Sequence, residues 1–293
     1  MTKNARTQRR SGGGGRLPLL CLVLLLAGVV LCFGLLWKKE PVTFQYRDMT
    51  LEAKEGVPVN RYEPARFAQD EAGRVHYTQG GISAKEGVDV SFYQGEVDWN
   101  AAAADGVDFA MIRLGYRGYT EGKLNLDSRF EANIRGALNA GVEVGVYFFS
   151  QATTPEEAEE EASFVLGALE GYDLTYPVAF DWEPITTGKG ARTDGVDGQT
   201  LTQCAAAFCQ KIQESGYTPA VYFNQELGYL TLDLAQLAQF PFWLAEYDST
   251  PDFYYGFRLW QYTDRGTVDG IPGGVDLNLD FGVFQGPAPG GRG

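Results

Sequence analysis

The sequence predicts an α/β protein whose main domain is a barrel of parallel strands and interleaved helices, preceded by a single transmembrane helix. Three observations predict it. Eight short apolar runs alternate with helical patterns between residues 87 and 277. Acidic residues recur at the ends of several of these runs, which favours a barrel over a doubly wound sheet, since barrel sites gather at strand ends. Residues 17–37 are 21 consecutive uncharged residues, nearly all apolar, long enough to cross a bilayer as a helix.

Along the chain, residues 1–16 form a basic tail carrying Lys3, Arg6, Arg9, Arg10 and Arg16, while only Lys38 and Lys39 follow the apolar span. That excess places the N-terminus in the cytoplasm and everything after Glu40 outside, as a single-pass membrane protein. A cleaved signal peptide would have an apolar core of about 7–15 residues and a small-residue cleavage site. Residues 17–37 are longer and lack an A-x-A pattern, so they read as an uncleaved signal anchor. Residues 38–83 are polar and mixed, with short strand-like pieces such as 74–79, and read as a stalk or as an extension packed on the main domain.

The main domain spans 84–285. Its strand-like runs are 87–91, 109–114, 142–149, 177–180, 219–223, 242–245, 258–262 and 275–277. Helical patterns fall at 98–105, 128–140, 154–169 and 200–215. The third helix has a defined start, with Thr154 as N-cap, Pro155 in the first turn, and Glu156 and Glu157 near the positive end of the dipole. Gly141 ends the second, because glycine accepts the left-handed cap conformation. Residues 286–293 are rich in Pro and Gly and predicted to be disordered.

Composition excludes several chemistries. The chain has one histidine, His76, outside the main domain, which removes nucleophile–imidazole pairs and most zinc sites. Cys21 and Cys32 lie in the apolar span; Cys204 and Cys209 are five apart on a helix, on different faces, and read as small packing residues rather than a disulfide. There is no Gly-rich phosphate loop, so neither cofactor nor metal is expected. Seven of the 24 Lys and Arg precede Glu40, leaving 17 basic against 38 acidic residues and a charge of −21 on the remainder. Such a surface argues against nucleic acid as a partner. Carboxylate chemistry remains.

The most informative carboxylates are in Asp181-Trp182-Glu183, which ends the apolar run at 176–180. Alternate strand residues share a face, so the two acids point the same way with α-carbons roughly 6.5–7 Å apart. Mutual repulsion raises one pKa, which is the raw material of a general acid beside an ionised partner. Alone, such a pair is more often a solvated loop start or a metal-free ion pair. Other strand ends add Asp89, Asp276, Tyr147, Glu246, Tyr247, Gln261, Tyr262 and Asn278, while Tyr93, Tyr116, Trp182, Trp243 and Trp260 offer flat platforms for sugar rings or simply fill the core. Arg113, inside an apolar strand, reads as an internal partner for a carboxylate.

These residues carry a family resemblance. The opening Gly87-Val88-Asp89-Val90-Ser91-Phe92-Tyr93-Gln94-Gly95, followed by Val97-Asp98-Trp99, resembles that of glycoside hydrolase family 25, the Chalaropsis-type lysozymes. The similarity continues through Phe109-Ala110-Met111-Ile112-Arg113, Asp127-Ser128-Arg129-Phe130-Glu131-Ala132-Asn133, Gly145-Val146-Tyr147 and Ala179-Phe180-Asp181-Trp182-Glu183. Trp243-Leu244-Ala245-Glu246-Tyr247, Trp260-Gln261-Tyr262 and Val275-Asp276-Leu277-Asn278 complete it, over about residues 84–284. The resemblance implies an irregular TIM-like (β/α) barrel and hydrolysis of the β-1,4 bond between N-acetylmuramic acid and N-acetylglucosamine, with peptidoglycan glycan strands as partner. It implies Glu183 as general acid, Asp181 as its partner, and Asp89 and Asp276 as the rest of an acidic cluster. Tyr93, Tyr147, Trp182, Glu246, Tyr247, Gln261 and Asn278 are the expected substrate-binding residues.

Spacing leaves the stereochemistry open; a neighbouring-group route through the substrate's acetamido oxygen is preferred. The rival readings are a non-catalytic, membrane-tethered wall-binding module and a glycosidase for another polysaccharide. The intact acidic cluster weighs against the first.

Overall fold

The computed structural model describes residues 1, 40–186 and 190–282. The basic tail, the apolar span at 17–37 and the tail at 286–293 lie outside the described residues, among which no helix is long and apolar enough to cross a membrane. The chain divides into two compact units, residues 1–53 and 54–293. The first holds an antiparallel hairpin of β1 (Thr43–Tyr46) and β2 (Met49–Glu52), turned at Arg47, whose φ of 54° lies in the left-handed region.

The second unit opens with a three-stranded antiparallel sheet of β3 (Phe67–Gln69), β4 (Val75–Gln79) and β5 (Ile82–Ser83). Gly80 and Gly81, at φ 61° and 80°, supply the two left-handed residues that a tight β4–β5 turn requires.

A closed eight-stranded barrel comes next. Its strands are β6 (Lys85–Val90), β7 (Phe109–Arg117), β9 (Glu143–Ser150), β10 (Val178–Trp182), β11 (Pro219–Asn224), β12 (Phe242–Ala245), β13 (Leu259–Gly266) and β14 (Val275–Asp280), paired in that order and closed by β14 on β6. A short additional strand, β8 (Leu124–Leu126), folds back on the end of β7. All eight strand-like runs of the sequence are therefore strands of the barrel.

Its helices are α1 (Trp99–Ala104), α2 (Phe130–Asn139), α3 (Pro155–Ala168), α4 (Gly198–Glu214), α5 (Gln225–Leu230) and α6 (Leu234–Leu237). The predicted caps form: Thr154 Oγ1 accepts the Glu157 N–H at 3.3 Å, and Gly141 follows α2 at φ 79°. Asp197 Oδ1 accepts the Thr200 N–H at 2.7 Å, so α4 starts two residues before the apolar pattern.

One expectation is corrected. The sequence predicts parallel strands throughout, yet β14 runs antiparallel to both β13 and β6. A parallel return needs a crossover of about a dozen residues or more, and only residues 267–274, without a helix, separate β13 from β14.

Inside the barrel Phe109, Met111, Tyr176, Ala179, Ala220, Trp243 and Leu259 form an apolar plug. Outside, no described helix follows β12 or β13, so nothing of the usual kind covers β13 and β14. Residues 54–83 do it instead. Tyr62 stacks on Phe281 at 4.1 Å and donates its hydroxyl to the Phe257 carbonyl at 2.6 Å. Phe67 meets the outward-facing Trp260 edge-on at 5.6 Å, and Tyr77 packs on Phe281 at 5.2 Å. His76 stands between Asp70 of the β3–β4 connection and Glu86 of β6, at 3.2 and 2.5 Å. The segment read as a stalk or extension is, from residue 54, an integral wall.

Packing and charge in this wall can be tested separately. Tyr77→Ala should cost about 3–4 kcal/mol in denaturant unfolding, the range for removing a buried aromatic. The His76 pKa is raised by its two carboxylates against the opposing effect of burial, so its stabilisation is full below the unfolded value near 6.5 and lost as pH rises through the folded one. His76→Gln should therefore lower the melting temperature at pH 5.5 and leave it nearly unchanged at pH 9; an equal loss at both would remove the charge from the explanation.

Candidate active site

The site is the upper layer of the barrel, directly above the apolar plug. β10 ends in Asp181-Trp182, and alternation turns Asp181 and Glu183 inward while Trp182 faces out. β6 contributes Asp89, and β14 contributes Asp276, which pairs with Asp89 in register. Directly opposed residues of an antiparallel pair share a face, so both acids face the interior. Because β14 runs in reverse, its first residues rather than its last reach this layer. The four carboxylates line one cleft of about 230 Å³, together with Ser91, Tyr93, Gln94, Arg113, Tyr147, Phe149, Tyr222, Trp243, Tyr247 and Gln261.

Asp89 is held as an acceptor. Its Oδ2 receives Gln261 Nε2 at 2.9 Å and Asn278 Nδ2 at 2.8 Å. Those amides are oriented in turn: Gln261 Oε1 accepts the hydroxyls of Tyr222 and Tyr247 at 3.0 and 3.1 Å, and Asn278 Oδ1 accepts Trp243 Nε1 at 2.8 Å. Among the described residues, Arg113 is the one basic side chain on the cleft wall. Its Nε donates to the buried Asp127 carboxylate at 2.7 Å, and its guanidinium carbon lies 5.0, 5.3 and 5.5 Å from the ring centroids of Phe92, Tyr93 and Tyr116. This is the internal carboxylate partner expected of it. Arg113 Nη2 and Asp181 Oδ1 are buried polar atoms without a hydrogen-bond partner.

Burial raises the pKa of all four acids. Asp89 is pushed up to about 6 by burial and Glu183, against the two amide donors. Asp276 is pushed up to about 8 by burial and by the charges of Asp89 and Asp264. Glu183 is raised by burial and Asp276, opposed by a hydrogen bond from Tyr222. Asp181 is raised well above the usual range by burial, then by Glu183 and Asp89, with Arg113 opposing. Such a cluster titrates as a unit and holds protons near neutrality. When the shared proton sits on Glu183, the second-largest cause of Asp181's rise disappears. Burial, the largest cause for both, still presses Asp181 toward its neutral form, so the two carboxyls compete for that proton.

Of the expected substrate-binding residues, Tyr93, Tyr147, Tyr247 and Gln261 line the cleft. Trp182, Glu246 and Asn278 do not. Trp182 is turned outward by the same alternation that turns Asp181 and Glu183 in. The Glu246 carboxylate closes its own loop, accepting the N–H groups of Asp252 and Phe253 at 2.7 and 3.2 Å. Asn278 is buried behind Asp89. Tyr116 packs on Arg113 and Trp260 faces the extension, so of the five candidate platforms only Tyr93 and Trp243 reach the cleft.

Sequence reading does not single out Ser91, Gln94, Phe149 or Tyr222. Tyr222 is within its reach: two positions after the inward Ala220, it shares that face. Ser91 and Gln94 form a capping box, with Ser91 Oγ accepting the Tyr93 N–H at 3.3 Å and Gln94 Oε1 accepting the Ser91 N–H at 2.8 Å.

A family profile described as Glycosyl hydrolases family 25 matches residues 88–271, more than half of the chain. The match includes Asp89, Asp181 and Glu183; Asp276 and the extension lie outside it. The "Autolytic lysozyme" of Clostridium acetobutylicum is 29% identical over 194 residues, 66% of this chain and 55% of that protein. "Lysozyme M1" of Streptomyces globisporus is 29% identical over 208 residues, 67% of each. This chain thus spans little more than half the length of the first of these relatives. Among solved structures, the modular autolysin LytC of Streptococcus pneumoniae, in complex with a synthetic peptidoglycan ligand, shares the fold at TM-score 0.59 and 23% identity, over 76% of this chain and 57% of that one. The bacterial lysozyme of Streptomyces coelicolor does so at TM-score 0.57 and 24% identity, over 68% and 93%.

The geometry makes Arg113 the counter-charge of the cleft. Arg113→Met should destabilise the protein by about 3–5 kcal/mol, because Asp127 is left buried and unpaired. It should also move the Asp181 carboxyl titration, followed by carbon NMR, to higher pH; Arg113→Lys should retain most of that electrostatic effect. An unmoved titration in the Met variant would refute the role.

Proposed function

The chain belongs to the glycosyl hydrolases of family 25, and on that premise we propose that it is an N-acetylmuramidase of peptidoglycan, cutting the β-1,4 bond between N-acetylmuramic acid and N-acetylglucosamine. The observation that carries this reading is the convergence of Asp89, Asp181, Glu183 and Asp276 on one cleft, where Arg113 is the one basic neighbour among the described residues.

In the proposed mechanism Glu183 holds the proton and gives it to the glycosidic oxygen as the bond to C1 breaks. The substrate's acetamido oxygen bonds to C1 in its place, and ionised Asp181 stabilises the positive charge that this leaves on the acetamido group. Water then attacks C1, reopening the ring formed by the acetamido group and returning a proton to Glu183. One water is consumed and the β configuration is kept. Asp89, fixed by Gln261 and Asn278, supplies the negative surroundings in which that charge develops.

The site of action is argued from the N-terminal sequence. Residues 17–37 would anchor the protein in the cell membrane, with residues 1–16 in the cytoplasm and the barrel on the wall side. No described residue bears on that placement.

Muropeptide analysis of digested, borohydride-reduced peptidoglycan tests the bond: new reducing ends should be muramic acid, and glucosamine ends would overturn the assignment. Glu183→Gln should lower the rate by about 10²–10⁴-fold, the usual worth of a general acid, with its melting temperature preserved. Initial release of the α-anomer would exclude the neighbouring-group route.

A further inference from the structure

Beside the cleft lies a second concavity, a groove of about 390 Å³ lined by Gln69, Gly73, Ser249, Thr263 and Asp264 among others, and sharing Tyr247 with the cleft. Tyr247 is 54% exposed, and its hydroxyl is tethered to Gln261 Oε1 at 3.1 Å, which fixes the ring at the boundary. The two spaces adjoin electrostatically as well. Asp276, Asp89 and Glu183 of the cleft and Asp264 of the groove all act on the Tyr247 hydroxyl, and Asp264 also acts on Asp276.

A central cleft of about 230 Å³ is small for a polymer, so a glycan strand cut there must continue across the surface. The groove offers what a sugar ring needs: an aromatic face at its edge, and carboxylate, hydroxyl and amide groups along its walls. One wall is the β3–β4 turn of the extension, with Gly73 at φ 84° and Gln69 Nε2 donating to the Gly73 carbonyl at 3.0 Å. That wall lies outside the family match, which begins at residue 88.

Building on the muramidase reading, we propose that this groove is an additional glycan subsite, in which the extension holds an N-acetylhexosamine of the same strand after it passes over Tyr247. Residues 67–73 then do more than cover the barrel. They favour long strands over short oligosaccharides.

Two variants test this, Ser249→Trp, which fills the groove, and the double variant Gln69→Ala with Thr263→Ala, which strips its polar walls. Each would be assayed on long glycan strands freed of stem peptides and on a tetrasaccharide of two disaccharide units. KM on the long strands should rise about fivefold to tenfold while kcat/KM on the tetrasaccharide stays within about twofold, a difference of one favourable contact. Equal losses on both substrates, or no loss on either, would overturn the subsite. A defect seen only on walls that keep their stem peptides would also overturn it, by making the ligand a peptide. Wild-type protein that cuts neither substrate would instead overturn the muramidase reading on which the subsite rests.

Discussion

The antiparallel pairing of β14 with β6 is the contact on which the rest of the site depends. It closes the barrel, and its register sets Asp276 against Asp89. Two acids facing each other would open a seam, since like charges on opposed residues destabilise a sheet. The pairing persists because Asp89 receives two amide hydrogen bonds from Gln261 and Asn278, and because Asp276 keeps its proton to about pH 8. Closure and chemistry are thus coupled. The amides that make the seam tolerable also lock Asp89 in place, and the hydroxyls of Tyr222 and Tyr247 lock one amide in turn.

The same reversal of β14 explains the extension. A short hairpin connection places no helix on the outer side of β13 and β14, so Trp260 and Phe281 would be left in water. Large aromatics exposed side by side invite association. Tyr62, Phe67 and Tyr77 cover them, while Arg74 ties the β3–β4 turn to Asp105 and the Thr267 carbonyl. The extension thereby forms one wall of the groove that adjoins the cleft. An element recruited for packing acquires a position from which it can touch substrate.

Periodicity made much of this legible in the sequence. The eight strands, the caps at Thr154 and Gly141, and the shared face of Asp181 and Glu183 all follow from local rules, and so does the outward turn of Trp182. What local rules do not hold is direction and partnership at long range. The reversal of β14 depends on how long the connection from β13 is, not on the pattern of 275–280 itself. Glu246 and Asn278 sit at strand ends as cleft residues do, yet the Glu246 carboxylate is taken by the amides of Asp252 and Phe253, and Asn278 by Asp89 and Trp243. Those competitions are decided by backbone geometry and by residues from another strand.

The division of labour proposed for the acid pair depends on its surroundings rather than on the pair itself. Asp181 and Glu183 are both buried, and burial alone would neutralise both. Glu183 has the Tyr222 hydroxyl beside it, whose hydrogen bonding opposes the rise. Asp181 has Arg113, a full positive charge held in place by Asp127 and by three aromatic rings. That attraction opposes the rise of the Asp181 carboxyl, although burial, Glu183 and Asp89 together outweigh it before substrate charge develops. In the proposed mechanism, positive charge developing on the sugar joins that attraction, and Asp181 becomes more acidic as the reaction proceeds. An acid set beside a carboxylate that only the transition state fully stabilises is how a cluster of buried, mutually repelling groups becomes useful to catalysis.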